Sequence, residues 1–463
     1  MVLFGMELKL NTRRIFFIGF AFFAILMLWQ VHLYYTPLYI QRLLENHFGD
    51  SGDGGFLGIT GIIMAIDNVF AILLLPLFGM WSDKTRNRLG KRMTFILVGG
   101  ILSVILFPLI AVMFIINSFW WFVVMVTLMK IAMNVWRSPA VALMPDITPK
   151  PLRAKANAIV NFVGYIGAIL GLLLTTIFVF RVDNTDPQSM STIPFFITAL
   201  VMLGIIVTML IKFKENKVLE EMRPAMERGE ELSETVERVK EDKPLSKRDK
   251  VNLWIVMGAV FMCWFAFNAL QTFGSTYGQR ELGTDQWGLL GIALGAASLI
   301  TFMPSIKLTK KIGRKNSVML GLGFVIVSLF VANFIPNIWG LIPIFAVSGA
   351  GWAIINVSAF PMVVEMASSK NIGKITGIYY IASQSAQAIT SIVAGFVFDW
   401  IGIGFFWWYA VIFMSAALVL CFFFKPRKVT IEPTESMDAE QEAPTTVIPT
   451  ELNKETHDER TIN

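Results

Sequence analysis

The chain has 463 residues, of which 55% are hydrophobic and 16% charged, with a formal net charge of +6. A soluble globular protein carries about a quarter of its residues charged, so the composition excludes that class, and a small cationic excess confined to particular loops excludes a nucleic-acid partner. Two cysteines, Cys263 and Cys421, both in apolar runs, and three histidines offer neither a disulfide framework nor a metal centre, and no cofactor or enzymatic motif is present.

A helix needs about 20 mainly apolar residues to cross a bilayer. Runs of that kind predict spans at 14–40, 56–81, 94–116, 119–145, 156–180, 192–212, 251–276, 287–306, 316–334, 339–364, 375–398 and 403–424. The first, behind Arg13 and Arg14, is too long for a signal peptide and lacks a small-residue cleavage site, so it reads as a span. A lipid-facing backbone must satisfy its own hydrogen bonds, and the alternation of a β-barrel is missing, so the spans are α-helices. The fold class expected is an all-α membrane protein of twelve helices in two pseudo-symmetric six-helix bundles. The bundles are 1–212 and 251–425, with a charged linker at 213–250 and a disordered cytoplasmic tail at 426–463. The linker reads as a solvated connection in which 218–239 can form surface helices, or as a regulatory segment.

The halves echo each other. Span two ends at Asp83 before Gly90-Lys91-Arg92, and span eight ends in Lys307, Lys310 and Lys311 before Gly313-Arg314-Lys315. Span four ends at Asp146 with Lys155 following, and span ten at Glu365 with Lys374 at the same offset. The basic loops fall on one side. Glu45, Asp50, Asp53, Asp183, Asp186 and Asp285 fall on the other. The positive-inside rule then predicts a multi-pass plasma-membrane protein with both termini cytoplasmic.

The stretch Gly79-Met-Trp-Ser-Asp83-Lys-Thr-Arg-Asn-Arg88-Leu-Gly90-Lys91-Arg92 resembles the loop after span two in the major facilitator superfamily. Its wording is similar to the glycoside-pentoside-hexuronide:cation symporter family, nearest the sucrose:proton symporter-like branch. Trp29-Gln30-Val-His32-Leu-Tyr34-Tyr35-Thr36-Pro37-Leu38 and Asn134-Val-Trp-Arg137-Ser-Pro139-Ala-Val141-Ala142-Leu143-Met-Pro-Asp146, followed by Ala156-Asn157-Ala158, resemble the same branch. It differs in having Lys130 where the branch commonly has Asp, and Val141 where it commonly has Arg. The resemblance implies two bundles rocking around a central site and a proton-coupled symporter for a di- or oligosaccharide, an α-glucoside such as sucrose or maltose. It would work as a monomer in the lipid bilayer, with substrate and proton as its partners.

Charges inside a membrane are expensive and mark function. Asp67 and Lys130 each lie sixteen residues before the Asp that ends their helix, Asp83 and Asp146. Equal depth predicts a buried Asp67–Lys130 ion pair, either static or broken and remade by proton or substrate; with His32 it makes up the candidate coupling set. Polar and aromatic stripes at helical spacing supply the candidate substrate site: Gln30 and His32 on span one, Asn134 and Arg137 on span four, Asn157 and Asn161 on span five. Trp264, Asn268 and Gln271 on span seven, Trp352 and Asn356 on span ten, and Gln384 and Gln387 on span eleven complete it. Amides suit polyol hydroxyls and indoles suit a pyranose face; the same groups also serve as polar glue between helices. Asp83, Arg88, Arg92, Asp146, Arg153 and Glu365 are the candidate gating charges. Gly291, Gly295, Gly321 and Gly323 are expected at close helix contacts. Two other functions fit the same pattern: a carrier of a lipid-like or drug-like solute, and a non-transporting sensor acting through the linker.

Overall fold

A computed structural model of the protein describes residues 10–49, 55–178, 188–238, 247–364 and 372–425. Thirteen α-helices run through them. The first bundle holds α1 (Thr12–Phe48), α2 (Leu57–Lys84), α3 (Lys91–Ile115), α4 (Phe119–Asp146), α5 (Arg153–Ile177) and α6 (Gln188–Lys212). After α7 (Glu215–Arg238), the second holds α8 (Lys247–Arg280), α9 (Gly288–Ile312), α10 (Arg314–Ala332), α11 (Ile338–Val364), α12 (Ile372–Ile401) and α13 (Phe406–Phe423). All except α7 contain a stretch long and apolar enough to cross a membrane, and no strand occurs among the described residues. The expected disordered tail at 426–463 lies outside them. Several helices outrun their apolar runs: α1 runs through Pro37 and continues eight residues past the predicted 40, with Gln41, Leu43 and Leu44 buried and Asn46, His47 and Phe48 exposed.

Each bundle has an aromatic core. Tyr39 stacks on Phe114 at 3.8 Å between centroids in the first, and Tyr277 on Phe406 at 4.6 Å in the second. Large exposed aromatics gather at helix ends: Trp120, Trp339 and Trp400 at one face, Trp81 and Trp254 at the other. That is the pattern of a chain anchored at two membrane–water interfaces. The face with Asp83 and Arg92 is called here the basic face, and the face with Glu45 and Asp285 the acidic face.

The repeat is visible in the backbone. Gly90 (φ 111°, ψ 159°) precedes α3, and Gly313 (φ 82°, ψ 159°) precedes α10. This region of conformational space is open essentially to glycine alone, so both halves make the same turn at the same place. Of the four glycines expected at close contacts, Gly321 faces the Gly351 carbonyl and Gly291 faces Leu172, whereas Gly295 and Gly323 meet no neighbour.

The linker departs from a purely solvated connection. Glu215, at the start of α7, is fully buried, and its carboxylate accepts the backbone N–H groups of Arg92 (3.1 and 3.0 Å) and Met93 (2.7 Å). It therefore caps α3, whose N-terminus would otherwise leave those donors unmet. Arg14 pairs with Glu221, Asn216 bonds the Asn87 carbonyl at 3.0 Å, and Val218 is buried. Over α7 the connection is docked on the first bundle. Burial holds the Glu215 carboxyl above the ordinary carboxylate range, against the opposing pull of the Met93 and Arg92 amides.

Candidate functional site

The bundles meet at the acidic face. Gly61 of α2 lies against the Ser391 carbonyl of α12, and Gly395 of α12 against the Leu57 carbonyl, so the two backbones touch with no side chain between them. Asp399 accepts the Leu57 N–H at 2.7 Å and the Gly58 N–H at 2.6 Å. Gln41 donates to Thr276 Oγ1 at 2.8 Å, the Tyr34 hydroxyl donates to the Asp285 carbonyl, and Arg280 pairs with Glu45 at 3.6 Å. These contacts between the two halves all lie toward the acidic face.

Deeper in, α5 presents Gly167 and Gly171 to the Phe23 and Met27 carbonyls of α1. That close approach seats Gln30 beside Gly171 and leaves it half-buried. His32, buried, shares a 2.8 Å hydrogen bond between Nδ1 and Thr36 Oγ1, while its Nε2 has no partner. Asp67 and Lys130 are both buried, as their shared depth requires. The expected direct ion pair is corrected: Lys130 Nζ turns to the Met64 carbonyl at 3.2 Å and the Ile63 carbonyl at 3.5 Å, about a turn toward the acidic face from Asp67. Asp67 Oδ2 is left buried and unpartnered, with Lys130 and Arg137 as its charged neighbours. Equal depth along two helices fixes height, not the angle at which two side chains leave them.

Asn134 donates to the Lys130 carbonyl at 2.9 Å, and its Oδ1 is buried without a partner. Arg137 is half-buried with its guanidinium carbon 5.3 Å from the Trp29 ring centre, in cation–π range. Asn161 is half-buried and Asn157 exposed.

The second bundle divides its polar residues between glue and lining. Asn268 is glue, donating to the Gln387 carbonyl and Ser391 Oγ, both at 2.9 Å, and so tying α8 to α12. Gln387 donates to Gln384 Oε1 at 2.7 Å. Gln271 is half-buried with no hydrogen bond to the described residues. Trp352 stacks on Phe267 at 4.0 Å and meets Trp264 edge-on at 5.4 Å; the exposed Asn356 donates to the Trp352 carbonyl at 2.8 Å. A small cleft of about 30 Å³ opens beside them, lined by Val256, Cys263, Trp264, Trp352, Asn356 and Tyr379.

Three of the charges expected to gate, Asp83, Arg92 and Asp146, form one network inside the first bundle. Arg92 is buried; it pairs with Asp83, donates through Nε to Asp146 Oδ2 at 2.9 Å and bonds Ser82. Lys91 adds a second 2.9 Å contact to the same Asp146 oxygen. Arg153 caps the end of α4 through the Pro145 carbonyl at 3.1 Å and the Thr148 carbonyl at 3.2 Å. Arg88 is exposed and offers its backbone carbonyl to Asn216 at 3.2 Å. These contacts tie α2, α3 and α4 together within the first bundle. Glu365 lies outside the described residues.

Sequence reasoning missed Trp29, Tyr34, Gln41, Tyr379 and Asp399. The first three stand in or beside a stretch quoted for its likeness, but spacing along one helix does not say what a side chain meets on another.

The family model described as Major Facilitator Superfamily matches residues 15–389 and 286–454. A sucrose transport protein, SUC3 of Arabidopsis thaliana, is 29% identical over 170 residues, covering 31% of this chain. The chain spans only 26% of that relative's length. Among solved structures, a D-xylose-proton symporter superposes with a TM-score of 0.67 at 16% identity, covering 89% of this chain and 98% of the other. A bacterial homologue of the iron transporter ferroportin in an inward-facing state gives 0.64 at 13% identity, covering 90% and 100%. The nucleoside transporter NupG gives 0.62 at 13% identity, covering 89% and 98%.

Proposed function

The chain belongs to the major facilitator superfamily and is a membrane transporter of a small solute; from that premise we propose that it is a proton-coupled symporter for a di- or oligosaccharide, with Asp67 as the group that carries the proton. One observation supports this most: a buried carboxylate oxygen without a hydrogen-bond partner, two to three turns inside the membrane, with Lys130 and Arg137 as its charged neighbours. An unpaired buried charge costs several kcal/mol, and taking up a proton removes that cost. A proton on Asp67 also frees the two cations it attracts. His32, with a free Nε2 and Thr36 on its other nitrogen, is placed to pass or hold that proton.

The substrate assignment rests on the chemistry of the walls. Gln30, Asn134 and Gln271 offer amides, and Trp264 and Trp352 offer indole faces for a sugar ring. The names of the sucrose transport protein and the xylose–proton symporter point the same way. With the basic face cytoplasmic and the chain in the plasma membrane as a monomer, the structure described is the one that opens inward. Its outer side is closed by the contacts of Asp399, Gln41 and Tyr34.

Purified protein in proteoliposomes tests the assignment. Labelled maltose or sucrose accumulates when a pH gradient is imposed, and addition of sugar alkalinises the medium. Sugar flux that ignores the gradient removes the coupling, and no flux of any sugar removes the assignment. The largely apolar lining of the cleft beside Trp264 and Trp352 favours a second reading, a carrier of an apolar solute. In that case Trp352→Ala abolishes transport and Gln271→Ala leaves it intact.

A further inference from the structure

Ser391 of α12 is held from two sides by the two halves of the molecule. Its backbone carbonyl lies against Gly61 of α2, where the bundles touch backbone to backbone. Its side chain belongs to α8: Asn268 Nδ2 donates to Ser391 Oγ at 2.9 Å. Ser391 Oγ donates in turn to the Gln387 carbonyl at 3.0 Å, and the same carbonyl accepts from Asn268 at 2.9 Å, so the three groups close a triangle. Asn268 and Ser391 are both buried.

Trp264 lies four residues before Asn268 and Gln271 three after it, which puts the three on one stripe of α8. That stripe carries two groups of the sugar wall and, between them, the amide that grips α12. Glue between two packed helices needs no particular partner, yet this amide takes hold of the residue that meets the other half. A second stitch joins the same helices without using the Ser391 side chain. Thr390 Oγ1 donates to the Phe265 carbonyl at 2.6 Å and shares a 2.9 Å bond with the Tyr409 hydroxyl.

Resting on the reading of Trp264 and Gln271 as sugar contacts, we infer that Asn268 is a positioning residue of the transport cycle, which ties the sugar wall of α8 to the seam between α2 and α12 through Ser391. The seam is the element with two states, closed or parted. A sugar that draws α8 toward itself displaces the Ser391 carbonyl where it meets Gly61. Linkage between two equilibria is reciprocal, so parting the seam changes the hold on the sugar by the same factor.

Hydrogen exchange at Leu57 and Gly58, whose amides are bonded across the seam, reads its state in the purified full chain. Maltose and sucrose are the probes, and tryptophan fluorescence reports their binding. In the parent protein a saturating sugar is expected to shift that exchange by about fivefold or more. Asn268→Leu keeps the bulk and loses the amide. It is expected to bind sugar within about threefold of the parent, to cut the shift below about twofold and to lower the transport rate at saturation. Ser391→Ala breaks the same link from its other end and should act alike, which also covers a failure of Asn268→Leu to fold. Asn268→Gln, which keeps the amide, should retain part of the shift. Thr390→Val breaks the second stitch and is expected to lower thermal stability while leaving the shift in place. If sugar binds and the parent shows no shift, or if Asn268→Leu and Ser391→Ala both keep it, the inference falls while the sugar assignment stands. A shift lost equally in Thr390→Val reduces Asn268 to packing and overturns its role. If neither sugar is bound or carried, the sugar assignment falls and the inference with it.

Discussion

Asp399, near the end of α12, takes up the backbone N–H groups of Leu57 and Gly58, the first residues of α2, across the boundary between the bundles. A helix start always has such unmet donors, and here the other half of the molecule supplies the acceptor. Hydrogen bonds to a charged group are worth about 1.5–3 kcal/mol each. Asp399→Ala is therefore expected to shift the balance toward an open acidic face by a factor of about ten or more. Hydrogen exchange at Leu57 and Gly58 should accelerate to match, and unchanged exchange there would remove Asp399 from the closure.

Gly61 supplies a sharper lever. A methyl group at this position would run into the Ser391 carbonyl, which is backbone and has no rotamer to escape through. Gly61→Ala is expected to fold, since each bundle keeps its own core, but to keep the acidic face from closing. A cysteine introduced at Gln41 should then react with a membrane-impermeant thiol reagent added from that side, and much more slowly without the Gly61 change. Equal labelling in the two backgrounds would show that α2 and α12 can part without strain.

Asp67→Asn removes the proposed proton site and retains the shape. Expected is loss of gradient-driven accumulation, with exchange of labelled for unlabelled substrate preserved within a few-fold. Accumulation that persists at the parent level would place the coupling elsewhere.

Glu215 gives a pH-dependent prediction. Its folded carboxyl titrates above the unfolded one, so the folded chain binds the proton more tightly. That contribution is present at low pH and is lost as pH rises through the raised range. From pH 5 to pH 8 the parent protein should lose more thermal stability than Glu215→Gln, which keeps an acceptor for the Arg92 and Met93 amides and cannot ionise. Parallel curves for the two proteins would refute the linkage.

The spans and the two-fold repeat were legible in the sequence because lipid imposes a one-dimensional code, an apolar run of fixed length between charged ends. Gly90 and Gly313 carried it down to the backbone, since the same turn in both halves demands the same residue. The depths of Asp67 and Lys130 were legible for the same reason. Their pairing was not, because it depends on how two helices are rotated against each other. Arg137 over Trp29 and Asp399 on α2 likewise join residues 108 and 341–342 positions apart, for which no periodicity exists. Asn268 and Gln271 show the remaining ambiguity: an amide that ties two helices and one left without a partner among the described residues have the same helical spacing.

The network of Asp83, Arg92 and Asp146 never leaves its own bundle. Swinging the halves apart at the acidic face and together at the basic one thus costs none of those ion pairs; the ion pair it would break is Arg280–Glu45. The seam that holds the halves together combines backbone contact, the carboxylate of Asp399, the side chains of Gln41 and Tyr34 and the Arg280–Glu45 pair, so on the reading proposed above the resting orientation of the empty protein is governed from the acidic face.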